Sequence, residues 1–424
     1  MKNYFKRMQV KDLFNLERSY RLVKYFTGEP QPPFKLILTP TDRCNLNCIF
    51  CPNYVARQQN RYKREEELEK EEWIDVIKQA IDLGIRQWCF LGGGEPLLRS
   101  EIIVPALDII RKKHDSIEFE IITNGVLLTK ELLESLVDVC KEKKKKDGEH
   151  ALIQLTISIH GSKSIYREIT GLDKYDEVVK NLQMLRDLKE KAKVKYPLVQ
   201  INIVLNKKNL NEMEELLNIF SNKLKVEQIA IHGLRAYQET QDIVKNIIPD
   251  LKDSQSVINL VKSMNEKLKS DISLLPLTSH LQQVNFEKNI NRGPKESDEK
   301  IEIHKIKLPE FMNYRCFEPW YDMMINPDGT VARCAAFTTR KEPVSVKKES
   351  LKDIWFGQFF NNVRENIKNG KLMEGCNPCG LMSNTIVIRE TMKLFIEKYL
   401  EYDFNNLKQI EPFLKTKIKK NFGV

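Results

Sequence analysis

The sequence predicts an α/β protein, a partial (β/α)6 TIM-type barrel followed by a small C-terminal α+β domain built on cysteines. Two observations predict the barrel. Short β-rich apolar runs alternate with longer amphipathic stretches between residues 35 and 235, and residues suited to chemistry cluster where those runs end. A third predicts the second domain: four of the nine cysteines fall after residue 313, two of them flanking a strong turn signal.

Residues 1–33 read as a helical lead-in that stops at the breakers Pro30, Pro32 and Pro33. Strands are expected at 35–39, 87–91, 119–123, 154–160, 199–205 and 227–232, with helices at 71–83, 101–113, 130–140, 175–191 and 209–222. A helix in every gap is the pattern of a parallel, helix-covered sheet, with barrel residues 34–235 falling short of the eight units of a closed barrel. Residues 236–312 read as a mainly helical linker or cover that loosens into a polar segment at 291–300 holding Gly293-Pro294. The cysteine domain takes 313–385, and 386–424 form a helical tail.

Composition excludes several classes. No apolar stretch reaches the length of a membrane span, since the best run, 102–110, is broken by Pro105 and Asp108. The first residues lack the apolar core of a secretory signal, so a cytoplasmic location and reduced thiols are expected. The net charge of +10 comes from lysines scattered over helical patterns. Its one dense run, 141–146, reads as a solvated loop with no interleaved aromatics, which argues against nucleic acid as partner. Cys89 reads as a small core residue, and Cys140 as a helix-end thiol without assigned role.

Directly after the first strand stand Cys44, Cys48 and Cys51, a C-x3-C-x2-C run. Three closely spaced thiolates can hold three corners of an iron–sulfur cubane and leave one iron open. The spacing fits poorly to zinc ribbons, which favour C-x2-C pairs. This run, with Phe50 before its last cysteine, resembles the signature of the radical S-adenosylmethionine (SAM) superfamily. The resemblance implies that Cys44, Cys48 and Cys51 bind a 4Fe-4S cluster whose open iron takes the amino and carboxylate groups of SAM. One electron then cleaves SAM to a 5′-deoxyadenosyl radical that removes a hydrogen atom from the substrate. Phe50 is expected near the adenine.

Gly92-Gly93-Gly94-Glu95-Pro96, ending the second strand, resembles the family's glycine–glycine–glutamate–proline motif. Glycines there let the backbone come close to the methionine amino group. The resemblance makes Gly93, Gly94, Glu95 and Pro96 cofactor-binding, and adds Asn124 at the third strand end, Ser158 late in the fourth, and Arg167 as a carboxylate partner. His160-Gly161 departs from the aspartate–glycine pair of many relatives, and His160 is given no catalytic role. Asn202 and Asn206 are weaker cofactor candidates, and Arg235 a candidate substrate contact.

The second group is Cys316, Cys334, Cys376 and Cys379. Asn326-Pro327-Asp328-Gly329 is a turn signal that folds a hairpin and brings Cys334 back beside Cys316. The C-x2-C pair follows a helix at 351–369. Spacing alone leaves a four-cysteine zinc site and an iron–sulfur cluster both open. The arrangement, with Cys316-Phe-Glu-Pro-Trp320, resembles the SPASM/twitch domains of radical SAM enzymes, in a twitch-type variant implying one auxiliary 4Fe-4S cluster.

The resemblance implies an oxygen-sensitive, oxidoreductase-type enzyme needing an electron donor such as flavodoxin or ferredoxin. The first expectation for its substrate is a small polar metabolite, a sugar or aminocyclitol. The alternative is a peptide- or protein-modifying maturase (cross-link, thioether, epimerisation or formylglycine type). Readings from other classes are a nucleic-acid-binding or -modifying protein with a structural zinc site and a non-catalytic iron–sulfur carrier.

Overall fold

The computed structural model describes residues 10–60, 64–145, 148–234, 240–264, 267–274, 309–335, 343–371, 373, 376 and 382–422. Arg235, Cys379, the C-terminal end of the lysine run and the polar 291–300 segment lie outside them.

All six expected strands form. They are β1 (Lys35–Leu38), β2 (Gln87–Phe90), β3 (Ile117–Thr123), β6 (Ala151–Ser158), β7 (Leu198–Leu205) and β8 (Gln228–Gly233), and each pairs in parallel with the next. Two short strands, β4 (Lys144–Lys145) and β5 (Gly148–Glu149), form a hairpin where a solvated lysine loop is expected. Lys143 in the same run is buried, its ammonium donating to the His114 carbonyl at 3.1 Å, so part of the run is structural.

The sheet is wider than the six-unit reading at both edges. Strand β9 (Asp271–Leu274) adds a parallel seventh strand beside β8, inside the stretch expected to be mainly helical. At the other edge β10 (Asp322–Ile325) pairs in parallel with β1, and β11 (Val331–Ala332) closes an antiparallel hairpin on it. The order is therefore β11-β10-β1-β2-β3-β6-β7-β8-β9, with the first strands of the cysteine domain built into the barrel sheet. Their apolar pattern predicts a hairpin, but only burial of Asp322 and Met323 against β1 shows which edge it joins.

Alternation along β3 and β7 gives the sheet two unlike faces. Ile117, Phe119 and Ile121 pack under the helices, while Glu118, Glu120, Gln200 and Asn202 face the half-open interior. Register brings these polar groups together: Glu120 accepts from Thr156 (2.8 Å), Gln154 (3.2 Å) and the Cys89 thiol (3.6 Å). Cys89 is thus buried, as expected, but as a donor to an inward carboxylate.

The amphipathic stretches form α1 (Val10–Phe26), α2 (Pro52–Gln58), α3 (Lys70–Leu83), α4 (Ser100–Lys113), α5 (Lys130–Glu142), α6 (Lys163–Thr170) and α7 (Tyr175–Ala192). The helix expected at 351–369 breaks into Leu351–Phe356 and Gln358–Lys368 at Gly357, where a Cβ would meet the Asp353 carbonyl at 2.3 Å. No described helix is long and apolar enough to cross a membrane.

Helix α1 is held to the barrel by a buried charge centre. Glu17, 2% exposed, accepts from Arg21 (3.0 Å) and Arg86 (3.1 Å), and Arg21 also donates to the carbonyls of Pro33 (3.1 Å) and Gly84 (2.9 Å). Removing the carboxylate leaves two buried guanidiniums facing each other. Glu17→Ala is therefore expected to cost about 3–5 kcal/mol, read as a lower urea midpoint. A loss within about 0.5 kcal/mol, typical of surface changes, would contradict this role.

Candidate cluster and cofactor site

The site is assembled by a tight approach of two strand ends. The chain leaving β1 runs through Thr39–Arg43 to Cys44, and Thr39 is tied to β10 by its N–H and hydroxyl, both donating to the Ile325 carbonyl. The turn leaving β2 presses against this segment. Gly94 N–H donates to Thr41 O (3.1 Å) and Glu95 N–H to Arg43 O (2.7 Å). A Cβ on Gly94 would lie 1.9 Å from Arg43 O, and one on Gly93 2.2 Å from Asp42 Oδ1. Only glycine permits this contact, because no side chain intervenes. The glycines that motif reasoning assigns to SAM thus first serve to set the approach of the cysteine loop.

Glu95 uses its side chain within the frame itself. Its carboxylate is buried, with Oε1 accepting from Thr123 Oγ1 (2.6 Å) and Leu97 N (3.0 Å) and Oε2 from Asn124 N (2.8 Å). Burial pushes its pKa up, and these three donors pull against that. The side chain braces the end of β2 to the end of β3, and Pro96 starts a buried helical turn behind it. Asn124 is also drawn into the frame: its Nδ2 donates to Asn45 Oδ1 at 2.7 Å and lies 4.0 Å from Cys44 Sγ.

Two further clamps were not legible as site residues. Arg57 donates to the carbonyls of Asp42 (3.1 Å), Gly93 (3.3 Å) and Leu46 (3.5 Å), joining both sides of the contact. Glu67 accepts from the Thr41 hydroxyl and pairs with Arg43 (3.4 Å) and Arg99 (3.3 Å). Pro52 at the first turn of α2 was the available signal for Arg57, since it starts a helix that carries position 57 back over the loop.

Cys44, Cys48 and Cys51 are all half-buried on this loop. Leu46 N–H points at Cys44 Sγ (3.4 Å), Cys51 N–H donates to Cys48 O (3.0 Å), and the carbonyls ending α6, Ile169 and Thr170, take the N–H groups of Ile49 and Asn47. Burial pushes the Cys44 and Cys48 thiols up; Cys51 adds to both shifts and Arg57 opposes them. Three thiolates this close repel one another, and a cationic iron–sulfur core relieves that repulsion. Nearby, the Tyr166 hydroxyl is buried with no hydrogen-bond partner among the described residues. Among the described residues no three cysteine, histidine or carboxylate side chains are already gathered as a metal site; three thiols on one loop and an orphaned donor are the chemistry that fits a sulfur-rich cluster.

The remaining predicted residues scatter. Phe50 meets the His160 ring edge-on at 5.0 Å and packs by the apolar group of Leu234, Val244 and Ile247. Ser158 faces the half-open interior opposite Asn202, whose side chain accepts from Gln200. Arg167 is exposed on α6, not turned into the site. Asn206 is fully buried in a turn, donating to Val204 O (2.9 Å) and accepting from Lys208 N (3.0 Å), so it is structural. His160 accepts from Val204 N–H through Nδ1 (3.1 Å), which puts the proton of the neutral ring on Nε2.

In the second group, Cys316, Cys334 and Cys376 are half-buried, and Cys379 lies outside the described residues. The predicted turn forms, with Gly329 at φ +84° donating to Asn326 O (3.0 Å) and Thr330 N–H to Asp328 Oδ1 (3.0 Å). Phe317 and Trp320 anchor the segment after Cys316 in the core.

Comparison with known proteins agrees with this architecture. The model of the radical SAM superfamily matches residues 38–220, and that of the SPASM iron–sulfur cluster-binding domain matches 316–380. The chain belongs to the radical SAM superfamily and carries a C-terminal SPASM domain. It is 33% identical to a probable GTP 3′,8-cyclase of Sulfurisphaera tokodaii over 186 residues, 43% of this chain and 50% of that one. It is 26% identical to the PqqA peptide cyclase of Granulibacter bethesdensis over 335 residues, 77% of this chain and 75% of that one. The chain spans about half the length of the curated relatives it matches first. Streptococcus suis SuiB, solved with its precursor peptide SuiA, shares the fold at TM-score 0.58 and 20% identity, over 82% of this chain and 70% of that one. The cofactors of this family are a SAM-binding 4Fe-4S cluster, SAM and auxiliary iron–sulfur clusters. Cys44, Cys48 and Cys51 are the candidate thiolates for the first.

Two outcomes follow. Gly94→Ala is expected to keep its far-UV circular dichroism yet lose the first cluster, with iron falling from about eight to about four per chain; full iron would contradict the close-approach argument. His160 is held neutral by burial, with His232 adding, and its pKa is pushed down to about 3. Between the ordinary histidine value of about 6.5 and about 3, the unfolded chain therefore binds a proton that the native state does not. Stability should be full above that window and fall with acidification, by up to about 1.4 kcal/mol per pH unit. Urea midpoints at pH 7 and pH 5 should separate more in the wild type than in His160→Asn; equal separation would refute the assignment.

Proposed function

We propose that this chain is a peptide-modifying radical SAM/SPASM enzyme. The observation that carries this reading is the similarity to a PqqA peptide cyclase over 77% of the chain, a span too long for the barrel alone. The likeness to the GTP cyclase covers only 43% of the chain. A small polar metabolite, the first expectation from sequence, therefore has weaker support than the alternative weighed beside it.

When bound, the first cluster and SAM supply a 5′-deoxyadenosyl radical that abstracts hydrogen from an unactivated C–H bond. The chain's own residues prepare for this. Gly93 and Gly94 seat the cysteine loop, three thiolates leave the fourth iron of a cubane uncommitted, and Glu95 and Arg57 fix the frame. The polar interior wall offers amide groups, Gln154, Gln200 and Asn202, that can pair with either donors or acceptors of a peptide backbone. Cys316, Cys334, Cys376 and Cys379 would hold one auxiliary cluster that passes an electron onward, with flavodoxin or ferredoxin as the external donor.

Anaerobically purified protein should carry about eight irons, whereas about four with one zinc would assign the second site to zinc. Replacing Cys44, Cys48 and Cys51 by alanine should halve the iron and abolish 5′-deoxyadenosine formation from SAM and dithionite. For the substrate class, peptides encoded beside the gene should raise 5′-deoxyadenosine formation and change in mass. Stimulation by a sugar or aminocyclitol alone would return the reading to a metabolite.

A further inference from the structure

Tyr166 lies beside the cysteine loop, and the account above does not use its chemistry. It sits on α6, the helix whose last carbonyls hold Asn47 and Ile49, the two residues flanking Cys48. Its side chain is fully buried, and its ring meets Tyr175 edge-on at 5.8 Å. The hydroxyl is buried with no hydrogen-bond partner among the described residues. Cys44 and Cys48 are packed against the same buried apolar cluster that holds Tyr166. Burial pushes this phenol up, with the Cys48 thiol the next contributor.

Buried hydroxyls are almost always hydrogen-bonded, because an orphaned one forfeits its interaction with water. Phenylalanine would fill the same apolar slot without that cost. A hydroxyl kept here calls for an acceptor that arrives with the loaded site, and the acceptors a cubane brings are sulfide and thiolate sulfur. We propose that Tyr166 donates a hydrogen bond from its phenol to a sulfur of the first cluster, the Cys48 thiolate or an adjacent sulfide, and so sets how readily that cluster is reduced. The proposal rests on the radical SAM reading. Tyr166 acts through the cluster and is a positioning residue, not a catalytic one.

The sign follows from charge. A donor stabilises the reduced, more negative cluster more than the oxidised one, so its removal makes reduction harder. The test is Tyr166→Phe in the anaerobic holoenzyme, titrated at fixed potentials by electron paramagnetic resonance, with the first cluster identified by its response to SAM. With iron and sulfide equal to wild type, the reduced-to-oxidised ratio should fall three- to tenfold at a given poise, tenfold being 59 mV for a one-electron couple. An unchanged ratio with full iron overturns the proposal. As a second measurement, the reduced wild-type cluster in D2O should show an exchangeable deuteron coupling that Tyr166→Phe lacks; the same coupling in both proteins also overturns it. Wild-type protein that binds no SAM-responsive cluster would instead refute the radical SAM reading itself.

Discussion

The contact between the Gly92–Glu95 turn and the Thr41–Arg43 backbone organises the site. Two backbone hydrogen bonds cross it, Gly94 to Thr41 and Glu95 to Arg43, at a separation that leaves no room for a Cβ. The path of the chain into Cys44 is fixed by this contact, and Arg57 locks it from the open side through carbonyls on both strands. Glu95 then carries the constraint across to β3, whose end places Asn124 against Asn45 and Cys44. Three neighbouring parallel strands are thereby tied at their C-terminal ends, where this architecture collects its chemistry.

The same end of the sheet reaches the turn of the second hairpin, whereas Cys316, before β10, and Cys334, past β11, lie toward the N-terminal end of β10. Strand β10 pairs with β1 and receives Thr39 at the carbonyl of Ile325, while Leu68 donates to Pro327 in the adjoining turn (2.6 Å). Glu67, one residue before, holds Thr41 and Arg43. The hairpin between Cys316 and Cys334 and the loop bearing Cys44 therefore share a framework of backbone hydrogen bonds and one buried carboxylate.

Much of this was legible in the sequence. Apolar periodicity located six strands and five helices within a few residues, and the C-x3-C-x2-C run with its glycine turn named the chemistry. Side-chain direction at special positions was not legible. Glu95 reads as a ligand contact from its motif, and the sequence does not show that its carboxylate takes three donors from β3 and its own turn. Arg167 reads as a carboxylate partner, yet its position on α6 exposes it. Pairing partners were equally silent: four residues at 271–274 and four at 322–325 are too short for periodicity to assign, and only packing shows that they extend the sheet at either edge. Composition left Tyr166 looking like any core aromatic, because an unfilled hydroxyl is visible only in three dimensions.

The central claim is that this frame presents three thiolates to a cubane and leaves one iron bare for SAM. The most direct measurement is the electron paramagnetic resonance spectrum of the dithionite-reduced holoenzyme, recorded without SAM and with saturating SAM carrying a 17O-labelled carboxylate. The account predicts a changed cluster signal with a resolved 17O coupling, the mark of carboxylate oxygen bound to iron. Identical spectra in both samples, with the cluster fully loaded, would contradict it.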